Sequence, residues 1–323
     1  MRAFVTGASG LVGGEVARQL RARGDLVVAV VRRADHADRL RELGCELIEG
    51  DLTTMPQVDL ASAQRGCDAL FHLAGSYRIG IPAAARGAMF AINVTATEHV
   101  LDAGIAAGVA RMVHISTGNV YGNASGRPID ETYRRSQPPS FLSYYDETKY
   151  LAHVAGERRI AAGAPILIAL PGTVYGPNDT SQLGEVIAQA MAGTLPAITF
   201  PDLGLNMVHV QDLAAGILLV HDRGRIGEAY NLGGVKATTR EVVALAALIG
   251  GHRPPRLIMP TWLIRAISPF GGVIGPLLGV APNIREVIRA ADRVSYSVSD
   301  AKARNELGYV TRDLETGLRS LLS

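Results

Sequence analysis

The chain has 323 residues, of which 48% are hydrophobic and 19% charged, with 32 Lys and Arg against 30 Asp and Glu. That length suits one large α/β domain or two modest ones and buries about 75% of the unfolded surface, and the composition excludes disorder. The formal charge of +2 carries no basic run: Arg32, Arg33, Arg39 and Arg41 are interleaved with Asp35, Asp38 and Glu42. No nucleic-acid footprint follows from that pattern. Cys45 and Cys67 cannot build a disulfide framework, and no Cys–His spacing suggests a metal.

In chain order, residues 3–5 read as a short strand and 11–23 as an amphipathic helix. A continuous apolar strand follows at 26–31, then a helix at 35–43. Residues 46–49 and 69–73 read as two more buried strands. A helix spans 89–108, a strand 111–116, a long helix 144–162 and a strand 165–170. Strands that are apolar throughout, each followed by a helix, predict a doubly wound parallel α/β sheet of the Rossmann type.

After Pro171 the rhythm changes. Residues 1–170 are expected to form the dinucleotide-binding domain and 171–323 a smaller substrate-binding region. About 208–234 of the latter should return to the main sheet, with 251–294 as a cap. Residues 266–284 are uncharged, but Pro269, Gly271, Gly272, Gly275, Pro276, Gly279 and Pro282 interrupt them. A spanning helix tolerates that poorly. Met1 leads into a strand pattern without a basic start, so no secretory leader is expected and the cytoplasm is the expected location.

Three motifs carry chemistry. Thr6-Gly7-Ala8-Ser9-Gly10-Leu11-Val12-Gly13 joins the first strand to the first helix. Gly7 permits the turn, Gly10 admits a pyrophosphate to the backbone and Gly13 packs helix on strand, while free helix amides favour the anion. Tyr145-x-x-x-Lys149 puts both side chains on one helical face. Ser143 and Asp146 have capping-box spacing ahead of them. Lowering a Tyr pKa from about 10 to about 7 takes roughly 4 kcal/mol. A cation about 4 Å away at an effective dielectric of about 20 supplies that much, so Lys149 is expected to suffice. The third motif, His114-Ile115-Ser116-Thr117-Gly118-Asn119-Val120-Tyr121-Gly122, ends a strand and offers two hydroxyls, Ser116 and Thr117.

Thr-Gly-x-x-Gly-x-x-Gly with a downstream Tyr-x-x-x-Lys resembles the extended branch of the short-chain dehydrogenase/reductase superfamily, the epimerase/dehydratase family. The likeness runs along nearly the whole chain: Asn93-Val94-Thr95-Ala96-Thr97, Tyr175-Gly176-Pro177, His209-Val210-Gln211-Asp212, Tyr230-Asn231-Leu232-Gly233-Gly234 and Asp300-Ala301-Lys302-Ala303 match family landmarks. The resemblance implies Tyr145 as general acid/base, Lys149 as its partner and ribose ligand, and Thr117 as the hydroxyl that orients the substrate oxygen, with Ser116 as the fallback. It implies cofactor contacts from Gly7, Ser9, Gly10, Leu11, Val12, Asp51, Leu52, Leu73, Ala74, Gly75, Asn93, Ser116, Tyr145, Lys149, Pro171 and Val174. Tyr77, Thr117 and Tyr145 would face substrate, and a homodimer through a four-helix contact is compatible with it.

Within that family, 4,6-dehydratases place Asp-Glu where this chain has Gly118-Asn119, which argues against water elimination. Nucleotide-sugar epimerases place cations for a diphosphate near Leu205-Asn206 and near residues 291–294. Here only Arg285, Arg289 and Arg293 form a stripe, read as a solvated face. The likeness is nearest the dihydroflavonol reductase and hydroxysteroid dehydrogenase branch. The expected activity is NAD(P)-dependent interconversion of a small carbonyl compound and its alcohol, with hydride passing between the nicotinamide and the substrate carbon. A nucleotide-sugar 4-epimerase with tightly bound NAD is the alternative, and a nonenzymatic dinucleotide sensor the second. Arg32 falls where an NAD site would place an acid, so NADP(H) is favoured over NAD(H).

Overall fold

The computed structural model describes residues 1–267 and 281–322. In chain order its strands are Arg2–Thr6 (β1), Leu26–Val31 (β2), Glu46–Glu49 (β3), Ala69–His72 (β4), Arg111–Ile115 (β5), Ile166–Pro171 (β6), Thr173–Tyr175 (β7), Gly204–His209 (β8), Ala229–Leu232 (β9) and Val235–Thr238 (β10). Seven make one parallel sheet in the order β3-β2-β1-β4-β5-β6-β9. The doubly wound α/β expectation holds.

The continuous apolar strands have a direct cause. In β1, Ala3 and Val5 point into one core and Phe4 into the other; in β2, Val27, Ala29 and Val31 oppose Val28 and Val30. Helices Leu11–Ala22 and Val210–Arg223 cover the first face. Helices Gln57–Gln64, Ala96–Ala107 and Tyr144–Ala161 cover the second. A strand buried on both faces has no polar side to show.

Strand order reverses between β1 and β4, whose carboxyl ends therefore border a crevice. After β6 the chain turns at Gly172 into a three-stranded sheet, β10-β8-β7, with its own core around Tyr175, Ile187, Met207, Val242 and Leu318. Pairing of β9 with β6 returns the chain to the main sheet.

The structure differs from the sequence reading in several places. β3 is an edge strand with Glu46 and Glu49 exposed, not a buried one. The helix expected over 35–43 is a 3₁₀ turn at Ala34–His36 followed by Asp38–Glu42. The single helix expected over 89–108 is Arg86–Phe90 and Ala96–Ala107 joined by a π-helical stretch, Ala91–Thr95. Local periodicity does not signal β7, β8, β10 or helices Gln57–Gln64, Gln182–Met191 and Thr239–Ile249. Gln57–Gln64 buries only Leu60 and Gln64, so it lacks an apolar stripe. Most of the uncharged tract 266–284 lies outside the described residues. Among the described residues no helix is long and apolar enough to cross a membrane.

Candidate active site

The glycine turn sits at the strand-order reversal. Gly7 has φ +71°, and a Cβ there would lie 2.7 Å from the Ala74 nitrogen. A Cβ on Gly13 would lie 2.1 Å from the Gly7 carbonyl oxygen. Both contacts are with backbone, so the turn closes only with glycine. Gly10 begins helix Leu11–Ala22 in extended backbone with no side-chain cap, and Ser9 and Gly10 are exposed. Uncapped amides at an exposed helix start suit a pyrophosphate, so the residues present fit a dinucleotide. Leu11 and Val12 are half-buried on the same turn.

Around this turn, Thr6 Oγ1 lies 3.2 Å from the Ala74 nitrogen, which donates to it, and 2.8 Å from His72 Nδ1. Leu73 and Ala74 are half-buried, Gly75 exposed. Asn93, on the π-helical stretch, is buried and fully committed. Its Oδ1 accepts from the Ser76 nitrogen at 2.7 Å, and its Nδ2 donates to the Ser76 carbonyl and Thr148 Oγ1, both at 3.0 Å. It ties the loop after β4 to the helix that carries Tyr145.

Arg32 follows β2, exposed and without a hydrogen bond or ion pair of its own among the described residues. Its charge reaches Asp51, whose carboxyl is held low first by hydrogen bonds from Thr53 and then by Arg32. Leu52 is buried beside it. Arg33 is paired to Asp35 through two hydrogen bonds of 3.1 and 2.6 Å. The second cation near the glycine turn is Arg39, which the sequence reading passed over: its Nη1 lies 3.8 Å from where a Cβ on Gly14 would sit.

Tyr145, Lys149, Ser116 and Thr117 converge beyond the end of β5, all buried. Ser143 accepts the Asp146 amide at 3.1 Å and caps the helix. The Asp146 carboxylate does not complete a capping box; its Oδ1 accepts from Asn119 Nδ2 at 3.1 Å. The two candidate hydroxyls part company. Ser116 Oγ is bonded to His153 Nδ1 at 3.0 Å, while Thr117 Oγ1 accepts the Asn119 amide at 3.3 Å and donates to Asn119 Oδ1 at 3.4 Å.

Lys149 Nζ donates to the Ile115 carbonyl at 3.0 Å, and burial pushes its pKa down to about 8. Burial also pushes the Tyr145 phenol above its ordinary value, aided by Tyr77 and Asp146 and opposed by Thr117. Desolvation of a phenol closed in by Ile81, Met89 and Tyr77 is the largest of these effects. Tyr77 stands edge-on to Tyr145, ring centres 4.8 Å apart, and is 55% exposed. Pro171 ends β6, buried, and Val174 lies half-buried on β7, where the chain leaves the main sheet.

Asn206 and Leu205, at one position where epimerases carry a cation, are buried; Asn206 Oδ1 accepts the Gly234 amide at 2.7 Å. The arginine stripe is broken, because helix Ile284–Ala291 ends before Arg293, which has φ +56°. Arg289 donates to the Leu142 carbonyl at 2.7 Å.

Residues 3–233 match the model of the NAD dependent epimerase/dehydratase family. A protein of Synechocystis sp. named as a dihydroflavonol 4-reductase is 31% identical over 98% of this chain and 92% of its own. The 4-hydroxy-2-methyl-3-oxo-4-farnesyl-3,4-dihydroquinoline-1-oxide ketoreductase of Stigmatella aurantiaca is 32% identical over 97% of this chain and 92% of its own. The solved structure of MoeE5 in complex with UDP-glucose and NAD superposes with a TM-score of 0.78 at 26% identity, covering 100% of this chain and 97% of that one. The chain thus belongs to the NAD-dependent epimerase/dehydratase family and is an NAD(P)-dependent enzyme of the extended short-chain dehydrogenase/reductase type.

Proposed function

We propose that this enzyme reduces a small carbonyl compound to its alcohol, and runs the reverse reaction, with Tyr145, Lys149 and Thr117 as its catalytic groups. The observation that carries the reading is that Thr117, Tyr145 and Lys149 are all buried together at the end of β5, where Lys149 Nζ donates to the Ile115 carbonyl at 3.0 Å. When bound, the nicotinamide supplies the hydride for reduction and takes it in oxidation. The Thr117 hydroxyl, whose one proton points to Asn119 Oδ1 at 3.4 Å, would turn it to the substrate oxygen and orient that oxygen. Tyr145, held protonated by burial, gives its proton to that oxygen as the alcohol forms. Lys149 spends one of three donors on Ile115, which leaves donors for the ribose hydroxyls.

Two further features support a reductase over a dehydratase. A side chain at Gly118 would have its Cβ 2.9 Å from Val298 Cγ1, so an acid there needs the wall to move. Asn119 stands at the neighbouring position and is engaged with Asp146. The Arg32 site favours NADP(H), residues 171–323 would supply most of the substrate contacts, and the enzyme would act as a homodimer. A screen of ketones, aldehydes and sugar nucleotides, read by cofactor absorbance, tests the reading. Turnover confined to sugar nucleotides refutes it.

The rival is a nucleotide-sugar 4-epimerase, favoured by the likeness to a protein solved with UDP-glucose and NAD. Buried Asn206 and the broken arginine stripe offer a diphosphate little. UDP and dTDP should therefore bind weakly in calorimetry. Dissociation constants in the low micromolar range, about −8 kcal/mol, would make the epimerase the better assignment.

A further inference from the structure

His72 closes β4 at the strand-order reversal, beside Thr6 at the end of β1, and both are buried. An apolar side chain would fill that place without desolvating two ring nitrogens, so a histidine there calls for partners. It has one on each side: Thr6 Oγ1 lies 2.8 Å from Nδ1, and Thr97 Oγ1 lies 2.9 Å from Nε2.

The hydroxyls settle which nitrogen carries the proton. Thr97 gives its single hydroxyl proton to the Asn93 carbonyl at 2.8 Å, so its oxygen accepts from His72 Nε2–H. Nδ1 is then a bare acceptor, and the Thr6 hydroxyl donates to it. The Thr6 oxygen in turn accepts the Ala74 amide at 3.2 Å. Burial, helped by Lys149, pushes His72 down to about 3, so the ring is neutral at working pH. His114 pairs with His72 across β4 and β5 and stacks on it, ring centres 5.6 Å apart. Neither His114 nitrogen has a hydrogen-bond partner among the described residues, so the path runs through His72.

Beyond Thr97 the path continues without a gap. Asn93 Nδ2 donates to Thr148 Oγ1 at 3.0 Å, and the Thr148 hydroxyl donates to the Tyr145 carbonyl at 2.9 Å. Thr97, Asn93 and Thr148 are all buried. One end is the Ala74 amide, the backbone against which Gly7 is closed. The other is the residue assigned as proton carrier. Every donor on the route points from the glycine turn toward Tyr145, an arrangement in which each bond strengthens the next.

We infer that His72 is a positioning residue: its neutral Nε2–H ring holds the glycine turn and the Tyr145 helix in one register, so that a cofactor seated at the turn meets the proton carrier in fixed geometry. This rests on the assignment of Tyr145 as proton carrier. The turn sets where the cofactor lies and the helix sets where the phenol lies. A misplacement of about 1 Å between reacting groups costs on the order of 10²-fold in rate.

Two substitutions cut the route on different sides of the ring. His72→Asn puts an amide oxygen near the Nδ1 position, which keeps an acceptor for Thr6 but does not reach Thr97. His72→Gln extends an amide nitrogen toward the Nε2 position, which keeps the donor to Thr97 and loosens the Thr6 side. Both are checked for folding by thermal melting. His72→Asn should lose kcat about tenfold with cofactor affinity close to the parent's. His72→Gln should recover most of that kcat while its cofactor dissociation constant rises about tenfold. Thr97→Val should lower kcat as His72→Asn does, and the two together should lose no more than either alone. Hydrogen exchange gives a readout that needs no turnover. The Lys149 amide has the Tyr145 carbonyl as its helical acceptor, and it should exchange faster in His72→Asn and Thr97→Val than in His72→Gln. The same balance of kcat and affinity in the Asn and Gln variants, or additive losses in the double variant, overturns the inference. If exchange separates the variants as expected but the parent protein reduces no carbonyl, the link stands and the proposed reaction falls. If the parent reduces carbonyls and exchange does not separate them, the link alone falls.

Discussion

Tyr145→Phe should lower carbonyl turnover on the order of 10²–10⁴-fold while leaving cofactor affinity nearly unchanged. The ring is held by Ile81 and Met89 and by the edge-on contact with Tyr77, none of which needs the hydroxyl. The substitution therefore removes the proton donor and its contact with Thr117 and little else. Lys149→Met should behave differently, slowing turnover and weakening cofactor binding together, because its ammonium is assigned to the ribose as well. Steady-state kinetics beside fluorescence titration of the cofactor separate the two. Near-parent turnover by Tyr145→Phe on a verified substrate would remove Tyr145 from the chemistry.

Arg32→Ala should weaken NADPH by about 10- to 100-fold and leave NADH almost unchanged. A charge-assisted hydrogen bond contributes roughly 1.5–3 kcal/mol, and 1.4 kcal/mol is a decade. Arg32 is suited to the contact because it is exposed at the end of β2 with its guanidinium uncommitted among the described residues, whereas Arg33 is held by Asp35. Asp51 nearby moderates its field. Arg39, facing the start of helix Leu11–Ala22, gives the phosphate a second neighbour, so Arg32→Ala together with Arg39→Ala should lose more than either alone. Arg32→Asp should go further than Arg32→Ala, by repelling the phosphate and offering an acceptor to the ribose hydroxyl. Titration of both cofactors against the parent and these variants is the measurement. Equal affinity of the parent for NADH and NADPH, or an Arg32→Ala variant that loses both alike, would end the NADP(H) assignment.

Much of this protein follows from sequence alone because its elements are set by local periodicity. β2 and β6 are apolar at nearly every position, and a strand can be so only with both faces covered, which dictates the parallel sheet. The glycine turn is legible for a similar reason: a positive φ at Gly7 and backbone contact at Gly13 leave no room for another residue. Spacing alone likewise sets Tyr145 and Lys149 on one helical face. Tertiary structure decided what depends on partners far along the chain. Ser116 and Thr117 are adjacent and chemically alike, and only the approach of His153 to the first and of Asn119 to the second distinguishes them. Asp146 has the spacing of a helix cap, yet packing against Asn119 gives it a different partner. A π-helical stretch turns Asn93 onto Ser76 and Thr148, which a regular 3.6-residue repeat does not foretell. The pairing of Arg33 with Asp35 and the position of Arg39 beside Gly14 are likewise not written in their spacing. Periodicity is a property of the backbone and travels with the local sequence, whereas the desolvation and pairing that govern a buried polar group are properties of what the rest of the chain brings against it.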